Sequence, residues 1–374
     1  LIVPHKPMVM EEPTYVIPAA RLKEFVATIF ATAGCARDEA DRIGHYLLSA
    51  NLAGHDSHGV IRTPRYLYWL RQGYVRPGQT LTVVSEGPSF ATVDGNWGFG
   101  QTIGPLAVDT GVEKARAAGV SMIGLRNSSH LGRIGDWAER AADAGLVSLH
   151  FVNVGGGELV APFGGIDRRF STNPICIGVP SDGKEPMFLL DFATSLVAEG
   201  KVLVASNGGK PVPEGALVGL DGKFTSDPSA LYGPIVPGGV RDLAHGEGAL
   251  VAFGLHKGSG LAFMCEILAG VLAGGATSGP IPGGKRGRIS NGMLSIYLDP
   301  ARFGEPDFLQ RARAYANYVK ASRPTTPGTP VLVPGEPEAR SREERLRSGV
   351  PLQKQTWDAI CAAALSLGVQ PPTL

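Results

Sequence analysis

The chain has 374 residues, 43% of them hydrophobic, which is enough for a large core and for two or three domains. Lys and Arg number 35 against 34 Asp and Glu, a formal net charge of +1 that excludes the basic footprint of a nucleic-acid binder. Cys35, Cys176, Cys265 and Cys361 include no CxxC pair, so neither a zinc site nor a disulfide framework is expected, and a reducing cytoplasm is.

Residues Leu1 to Pro13 lack the charged and apolar regions of a signal peptide. Two amphipathic helices follow. The first carries Leu22, Phe25, Val26, Ile29 and Phe30 on one face and stops at Gly34, and the second runs from Asp38 with Ile43, Leu47 and Leu48 inward. From Leu81 short β-branched and aromatic runs alternate with Gly-bounded helices. Strands are expected at Phe90–Val93, Val120–Leu125, Leu146–Val152, Met187–Phe192 and Met293–Leu298. Helices are expected at Pro105–Ala118, with Pro near the start and Gly119 at the end, at Arg133–Ala144, through Ala198 and Val204, and at Gly260–Ala273. The last of these reads as buried. Its apolar run, Leu261–Ala273, is interrupted by Glu266 and too short to span a bilayer. Three helices close the chain, at Phe308–Lys320, Ser341–Arg347 and Trp357–Leu367, the first two joined by a Pro-rich segment. The outline is a helical N-terminal part (14–80), a mixed α/β core (81–304) and a helical C-terminal part (305–374) returning to the first.

Three polar groupings carry chemistry. Gly54-His55-Asp56-Ser57-His58-Gly59-Val60-Ile61-Arg62 places a hydroxyl, two imidazoles and a guanidinium together. Imidazole exchanges protons near neutrality, and the arginine fork grips a carboxylate with two hydrogen bonds. These are the needs of 2-oxo acid reduction. The competing reading is a helix cap by Asp56 or Ser57 with a surface Arg62. His130, in Asn127-Ser128-Ser129-His130, follows a strand and is either an acid/base or a packed loop residue beside a serine cap. Asp191, at the end of an apolar strand, orients an imidazole or caps the next helix. A serine hydrolase is set aside because no G-x-S-x-G elbow is present. A metal hydrolase on His55, His58 and Asp191 remains as a different class. The loop Gly95–Gly100 fails the Rossmann glycine spacing. Leu255-His256-Lys257-Gly258-Ser259-Gly260 opens a helix and offers backbone N–H groups and Lys257 to an anion.

In order, Gly54–Val60, Asn127–His130, Ala161–Gly165, Ser171–Pro174, Leu190–Ser195 and His256–Leu261 resemble the successive signatures of the malate/L-lactate dehydrogenase family that lacks a Rossmann fold, over about Thr14 to the C-terminus. The form Gly-His-Asp-Ser-His-Gly is most similar to its hydroxycarboxylate dehydrogenase branch. The resemblance implies an α/β fold with a mixed-sheet cofactor domain, a homodimer with sites near the interface, and NAD or NADP acting on a small 2-hydroxy or 2-oxo acid. Cyclic-imine reductases share the family. Carried over by position, His58 is the proton donor, Ser57 and Asp191 form its relay, and Arg62 holds the substrate carboxylate. In some members the position of His130 has the acid/base role. Ser171, Thr172, Asn173, Pro174, Ile175, Cys176, His256, Lys257, Gly258 and Gly335 correspond to cofactor contacts. Ser171 replaces a common Gly, and Ser259 a common Tyr.

Overall fold

The computed structural model describes residues 14–183, 186–206, 212–234, 243–281 and 288–373. The signal-peptide expectation for residues 1–13 lies outside them. The elements in chain order are β1 (Thr14–Ile17), α1 (Ala19–Thr32), α2 (Arg37–Leu52), α3 (Thr63–Arg71), β2 (Thr82–Gly87), β3 (Phe90–Asp94), α4 (Gly100–Ala118), β4 (Val120–Ser128) and α5 (Gly135–Asp143). There follow β5 (Val147–Gly155), β6 (Ile175–Val179), β7 (Phe188–Phe192), α6 (Glu199–Ser206), β8 (Leu217–Val218), β9 (Phe224–Thr225), α7 (Ser229–Tyr232) and β10 (Ala249–Leu250). Next come α8 (His256–Cys265) with a π-helical turn (Glu266–Leu272), β11 (Ser290–Leu298), α9 (Phe308–Lys320), α10 (Glu336–Ser348), β12 (Val350–Gln353) and α11 (Lys354–Leu365).

A seven-stranded sheet of order β2-β3-β4-β11-β5-β6-β7 forms the centre. Only β3 and β4 pair in parallel, connected by α4, and every other pair is antiparallel. A dinucleotide fold of the Rossmann type needs a run of parallel strands, and this sheet has a single such pair. Helices α4 and α5 cover the sheet with Ile103, Ala107, Val108, Trp137 and Ala141, all buried against Val93, Leu125 and Met293. A second core joins the two ends of the chain. The predicted apolar faces of α1 and α2 pack with Val60, Tyr66 and Phe99 and with Val350, Trp357 and Ile360 from the C-terminal segment, while β1 pairs antiparallel with β12. A third, smaller core (Val160, Val202, Leu217, Leu231, Tyr232 and Leu250) surrounds β10-β8-β9 within 81–304. No helix of the described residues is long and apolar enough to cross a membrane.

The structure corrects several boundaries. Helix α4 begins at Gly100 and carries Pro105 in its interior, so the proline costs one backbone bond without marking the start. The helix expected at Gly260–Ala273 begins at His256, turns π-helical at Glu266, and is only half-buried. Phe263, Met264, Ile267, Val271 and Leu272 are exposed by 38–65%. Helix α10 starts at Glu336 because Gly335, at φ +97°, turns the chain into it. Strand β2 escapes the sequence reading because five of its six residues are exposed, leaving no apolar alternation to see.

Candidate active site

Asp56–His58 and Val60–Arg62 form two short 3₁₀ turns between α2 and α3. Buried Asn51, at the end of α2, shapes them. Its Oδ1 accepts from the Val60 backbone N–H at 2.8 Å, and its Nδ2 donates to Asp56 at 2.6 Å. Gly59 is required here, since a Cβ would stand 2.1 Å from Asn51 Oδ1. Helix α10 braces the turn from outside. Arg345 donates to both Asp56 carboxylate oxygens at 2.6 and 3.0 Å, and His55 Nε2 lies 3.4 Å from Glu338. Asp56 and Ser57 therefore cap no helix.

This scaffold brings His58 and His130 together. Their rings stack at 5.6 Å between centroids and 10° between planes. Ser57 Oγ lies 3.1 Å from His58 Nδ1. Tyr66, one turn along α3 from Arg62, places its hydroxyl 2.6 Å from His130 Nδ1. Gln101 Nε2 donates to that hydroxyl at 3.2 Å, so the phenol gives its own proton to Nδ1 and the neutral His130 ring carries its proton on Nε2. Burial pushes the Tyr66 phenol up to about 12, which keeps it a donor. Glycines clear the space: a Cβ on Gly100 would stand 2.2 Å from the His130 carbonyl. The loop rejected as a phosphate cradle thus serves as the bed for the His130 segment, with the Ser129 N–H donating to the Gly98 carbonyl at 3.0 Å.

Arg62 Nε donates to the Ser57 carbonyl at 2.6 Å, and its guanidinium lies 3.8 Å from Glu199 at the start of α6. Glu199 in turn accepts a hydrogen bond from Tyr232. Helix α6 closes on the turn, since a Cβ on Gly200 would stand 2.8 Å from that of Ser57. Both imidazoles are held neutral. Burial, then the cost of a second cation beside His130 and Arg62, pushes His58 well below the usual histidine range, and burial with Arg62 lowers His130 to about 3.

Asp191 is elsewhere. Its Oδ2 accepts from the Gly135 N–H at 2.7 Å, at the start of α5, and lies 4.0 Å from Arg133 Nε. Among the described residues no hydrogen bond or ion pair joins it to His58, so the Ser57–His58 pair forms without it. His55, His58 and Asp191 thus face different partners. Among the described residues no three His, Cys, Asp or Glu side chains are grouped to hold a metal.

The expected cofactor residues fall on neighbouring segments. The Thr172 carbonyl accepts from Thr194 N–H at 2.9 Å, and the Pro174 carbonyl from Val152 N–H at 3.0 Å. Ser171 is buried. Asn173, at φ +26°, donates from Nδ2 to the Ala262 carbonyl at 3.1 Å and to Glu266 at 2.7 Å, and its Oδ1 is buried without a partner. Ile175 and Cys176 begin β6. The Cys176 side chain is sealed in the sheet core, its thiol pushed far up by burial, and its strand is paired on both sides. The anion reading of the α8 start also changes. The N–H groups of Lys257, Gly258 and Ser259 are spent on the carbonyls of Gly254, Phe253 and Leu255, leaving the exposed side chains of His256 and Lys257. Gly258 and Gly335 are close-packing positions, where a Cβ would stand 2.4 Å from the Phe253 carbonyl and 2.3 Å from that of Met187. Ser259 donates structure, not charge: its Oγ accepts from Phe163 N–H at 2.9 Å.

Tyr66, Gln101 and Glu199 were not singled out from sequence. An aromatic at helical spacing from Arg62 looks like core, and Gln101 and Glu199 belong to no recognisable motif.

The site thus sets two stacked imidazoles beside an arginine on a mixed α/β sheet without the Rossmann arrangement. The family model of malate/L-lactate dehydrogenase matches residues 17–361, and the chain belongs to that family. It is 41% identical to hydroxycarboxylate dehydrogenase B of Escherichia coli K12 over 95% of each chain. It is 34% identical to the Δ1-pyrroline-2-carboxylate/Δ1-piperideine-2-carboxylate reductase of Pseudomonas putida over 91% of this chain and 94% of that protein. The malate dehydrogenase structure of Pyrococcus horikoshii OT3 superposes with a TM-score of 0.83 at 28% identity, covering 97% of this chain and 99% of that one. The family is thus one of hydroxy-acid dehydrogenases that also holds a cyclic imino acid reductase.

Proposed function

We propose that the protein is an NAD- or NADP-dependent oxidoreductase that interconverts a small 2-hydroxy acid and its 2-oxo acid. The observation that carries this reading is the stacked His58–His130 pair beside Arg62. The donor set fits a nicotinamide dinucleotide: exposed Lys257 and His256 suit its phosphates, and Asn173 keeps one amide oxygen unpartnered. Ser171, Thr172, Pro174 and the close-packed Gly258 and Gly335 shape that side of the site. The nicotinamide, when bound, supplies or accepts the hydride at the substrate C2.

Arg62 holds the substrate carboxylate. His130, its proton fixed on Nε2 by Tyr66, donates a hydrogen bond to the reacting oxygen. His58 exchanges the proton, because Ser57 gives it a partially exposed path while the Tyr66–Gln101 chain ends in the interior. Burial is the main cause that depresses both imidazoles, and a carboxylate on Arg62 offsets only the lesser part that its charge adds. Asp191 acts only through the α5 segment.

A cyclic imino acid is the second substrate class, favoured by the Pseudomonas putida relative. We further propose a homodimer, with the exposed face Phe263–Leu272 covered by a second copy, and a cytoplasmic setting that suits four free cysteines. The near-zero net charge gives no reason to expect a nucleic-acid partner. We further propose that the chain divides into three parts, 14–80, 81–304 and 305–374. The test is titration with NADH and NADPH followed by turnover on a panel of 2-oxo acids and cyclic imino acids. Turnover of open 2-oxo acids is expected. Turnover of imino acids alone selects the second class, and binding of neither nicotinamide overturns both.

A further inference from the structure

The acid that interrupts the apolar run of α8 is buried at the centre of a polar network. Glu266 Oε2 accepts from Asn153 Nδ2 at 2.9 Å and from the Ser278 N–H at 3.0 Å, while Oε1 accepts from Asn173 Nδ2 at 2.7 Å and from the Ser278 hydroxyl. Asn153 continues the chain. Its Oδ1 accepts from Gly292 N–H at 3.2 Å, and its carbonyl accepts from Asn291 Nδ2 at 2.9 Å. Asn291 Oδ1 then accepts from the backbone N–H of Leu131 at 2.8 Å, next to His130. The members Asn153, Asn173, Glu266, Ser278 and Asn291 are all buried.

The backbone is built around this chain. The π-helical turn begins at Glu266, and the β4–β11 pairing is irregular between Asn291 and Met293. Both are departures from regular structure of the kind that re-aim side chains near functional sites. The turn and the strand also touch directly. A Cβ on Gly292 would stand 2.1 Å from the Ala269 carbonyl, and one on Gly270 would stand 2.7 Å from Asn153 Nδ2.

We propose that Glu266 is a positioning residue that sets two parts of the site at once: the amide of Asn173 in the cofactor segment, and the His130 loop through Asn153 and Asn291. This rests on the reading of those two segments as cofactor and substrate contacts. A carboxylate is needed because every group facing it is a donor. An amide in its place has one acceptor oxygen and turns an NH2 toward the two donors that the other oxygen served, and a hydrogen bond to a charged group is among the stronger ones.

The network predicts a split that general destabilisation does not. In Glu266→Gln the affinity for NADH or NADPH falls roughly tenfold and the His130 NMR resonance, assigned by its loss in His130→Gln, shifts. In Asn291→Ala the His130 resonance shifts and kcat falls about tenfold while cofactor affinity holds within about twofold, because Asn173 keeps Glu266. Ser121→Ala removes a buried hydrogen bond to the Gly111 carbonyl, outside the network, so it lowers Tm and leaves both readouts in place. The proposal is overturned if cofactor affinity and the His130 resonance simply follow Tm across the three variants, or if Asn291→Ala leaves His130 unmoved. If Glu266→Gln does not fold, the comparison of Asn291→Ala with Ser121→Ala decides it. If the unsubstituted protein binds neither nicotinamide, the function reading fails, while the His130 resonance still tests the link.

Discussion

The Asp191 carboxylate stands 2.7 Å from the backbone nitrogen of Gly135 and 4.0 Å from Arg133 Nε. It caps α5 from a neighbouring strand, and it helps to neutralise an arginine that is itself buried between Asp136 at 3.0 Å and Glu139 at 2.8 Å. Asp191→Asn should therefore cost stability, about 2–4 kcal/mol, since it leaves a buried cation short of one counter-charge. It should leave the acid limb of the pH–rate profile in place. A loss of kcat near 10⁴-fold with unchanged Tm would instead make Asp191 the orienter of a catalytic imidazole.

The two imidazoles should separate kinetically. His58→Ala is expected to lower kcat by roughly 10²–10⁴. Tyr66→Phe removes the group that fixes the His130 tautomer and should lower kcat about tenfold with little change in KM. Steady-state kinetics on one accepted substrate checks both, and near-normal turnover in His58→Ala would transfer the proton-exchange role to His130.

Arg62 and Glu199 should act in opposite directions. Arg62→Lys keeps the charge but loses the planar fork, and KM for the acid should rise roughly 10–100-fold. Glu199→Gln removes the carboxylate 3.8 Å from the guanidinium, so KM should fall. A KM that rises in Glu199→Gln would show that Glu199 orients Arg62 instead of competing for it.

Acid should destabilise the fold through His150. This ring is fully buried between Ser148 and Ser295, at 3.0 and 2.8 Å, and burial lowers it to about 3. The unfolded chain titrates near 6.5, so between about pH 6.5 and 3 the unfolded state binds the extra proton. Stability from this group is complete above about 6.5 and declines on acidification by roughly 1.4 kcal/mol per pH unit. Tm measured against pH should fall less steeply in His150→Gln. An identical acid slope in the variant would assign the decline to other groups.

The brace on the His58 turn is testable through Arg345→Ala. The Asp56 partner is half-exposed, so the pair should contribute no more than about 1 kcal/mol to stability. A loosened turn misplaces His58 and Arg62, and kcat/KM should fall roughly tenfold or more. A drop in Tm without a drop in kcat/KM would limit Arg345 to holding the chain end.

Most of this fold was legible because its helices are strongly patterned. Leu22, Phe25, Val26, Ile29 and Phe30 are all buried as their spacing predicts. The sequence motifs also marked His58, Arg62 and His130. What they did not show is convergence: His58 and His130 stack although 72 positions separate them (130 − 58). Arg345 and Asp56 meet across 289 positions. Gly98 and Gly100 carried a visible signal that had the wrong meaning. Glycine permits close approach to any backbone, and here the neighbour is the chain at Ser129 and His130 and not a phosphate. Asp191 had two open readings, and the structure places it as a cap on a helix other than the one that follows it. Glu266 looked like a blemish in an apolar run, because three of the groups that satisfy it are asparagine and serine side chains from distant segments.

The pairing of β1 with β12 has a consequence for synthesis. Codons for Glu338, Arg345 and the strand Val350–Gln353 are read late, long after those for His58 and Arg62. While the C-terminal segment is still inside the ribosome, α1 and α2 have no Trp357 or Ile360 to cover them, and the His58 turn has no outer wall. The emerging polypeptide therefore keeps this apolar surface open until Trp357 and Ile360 leave the ribosome. Its apolar N-terminal helices are where a nascent-chain chaperone would be expected to hold it.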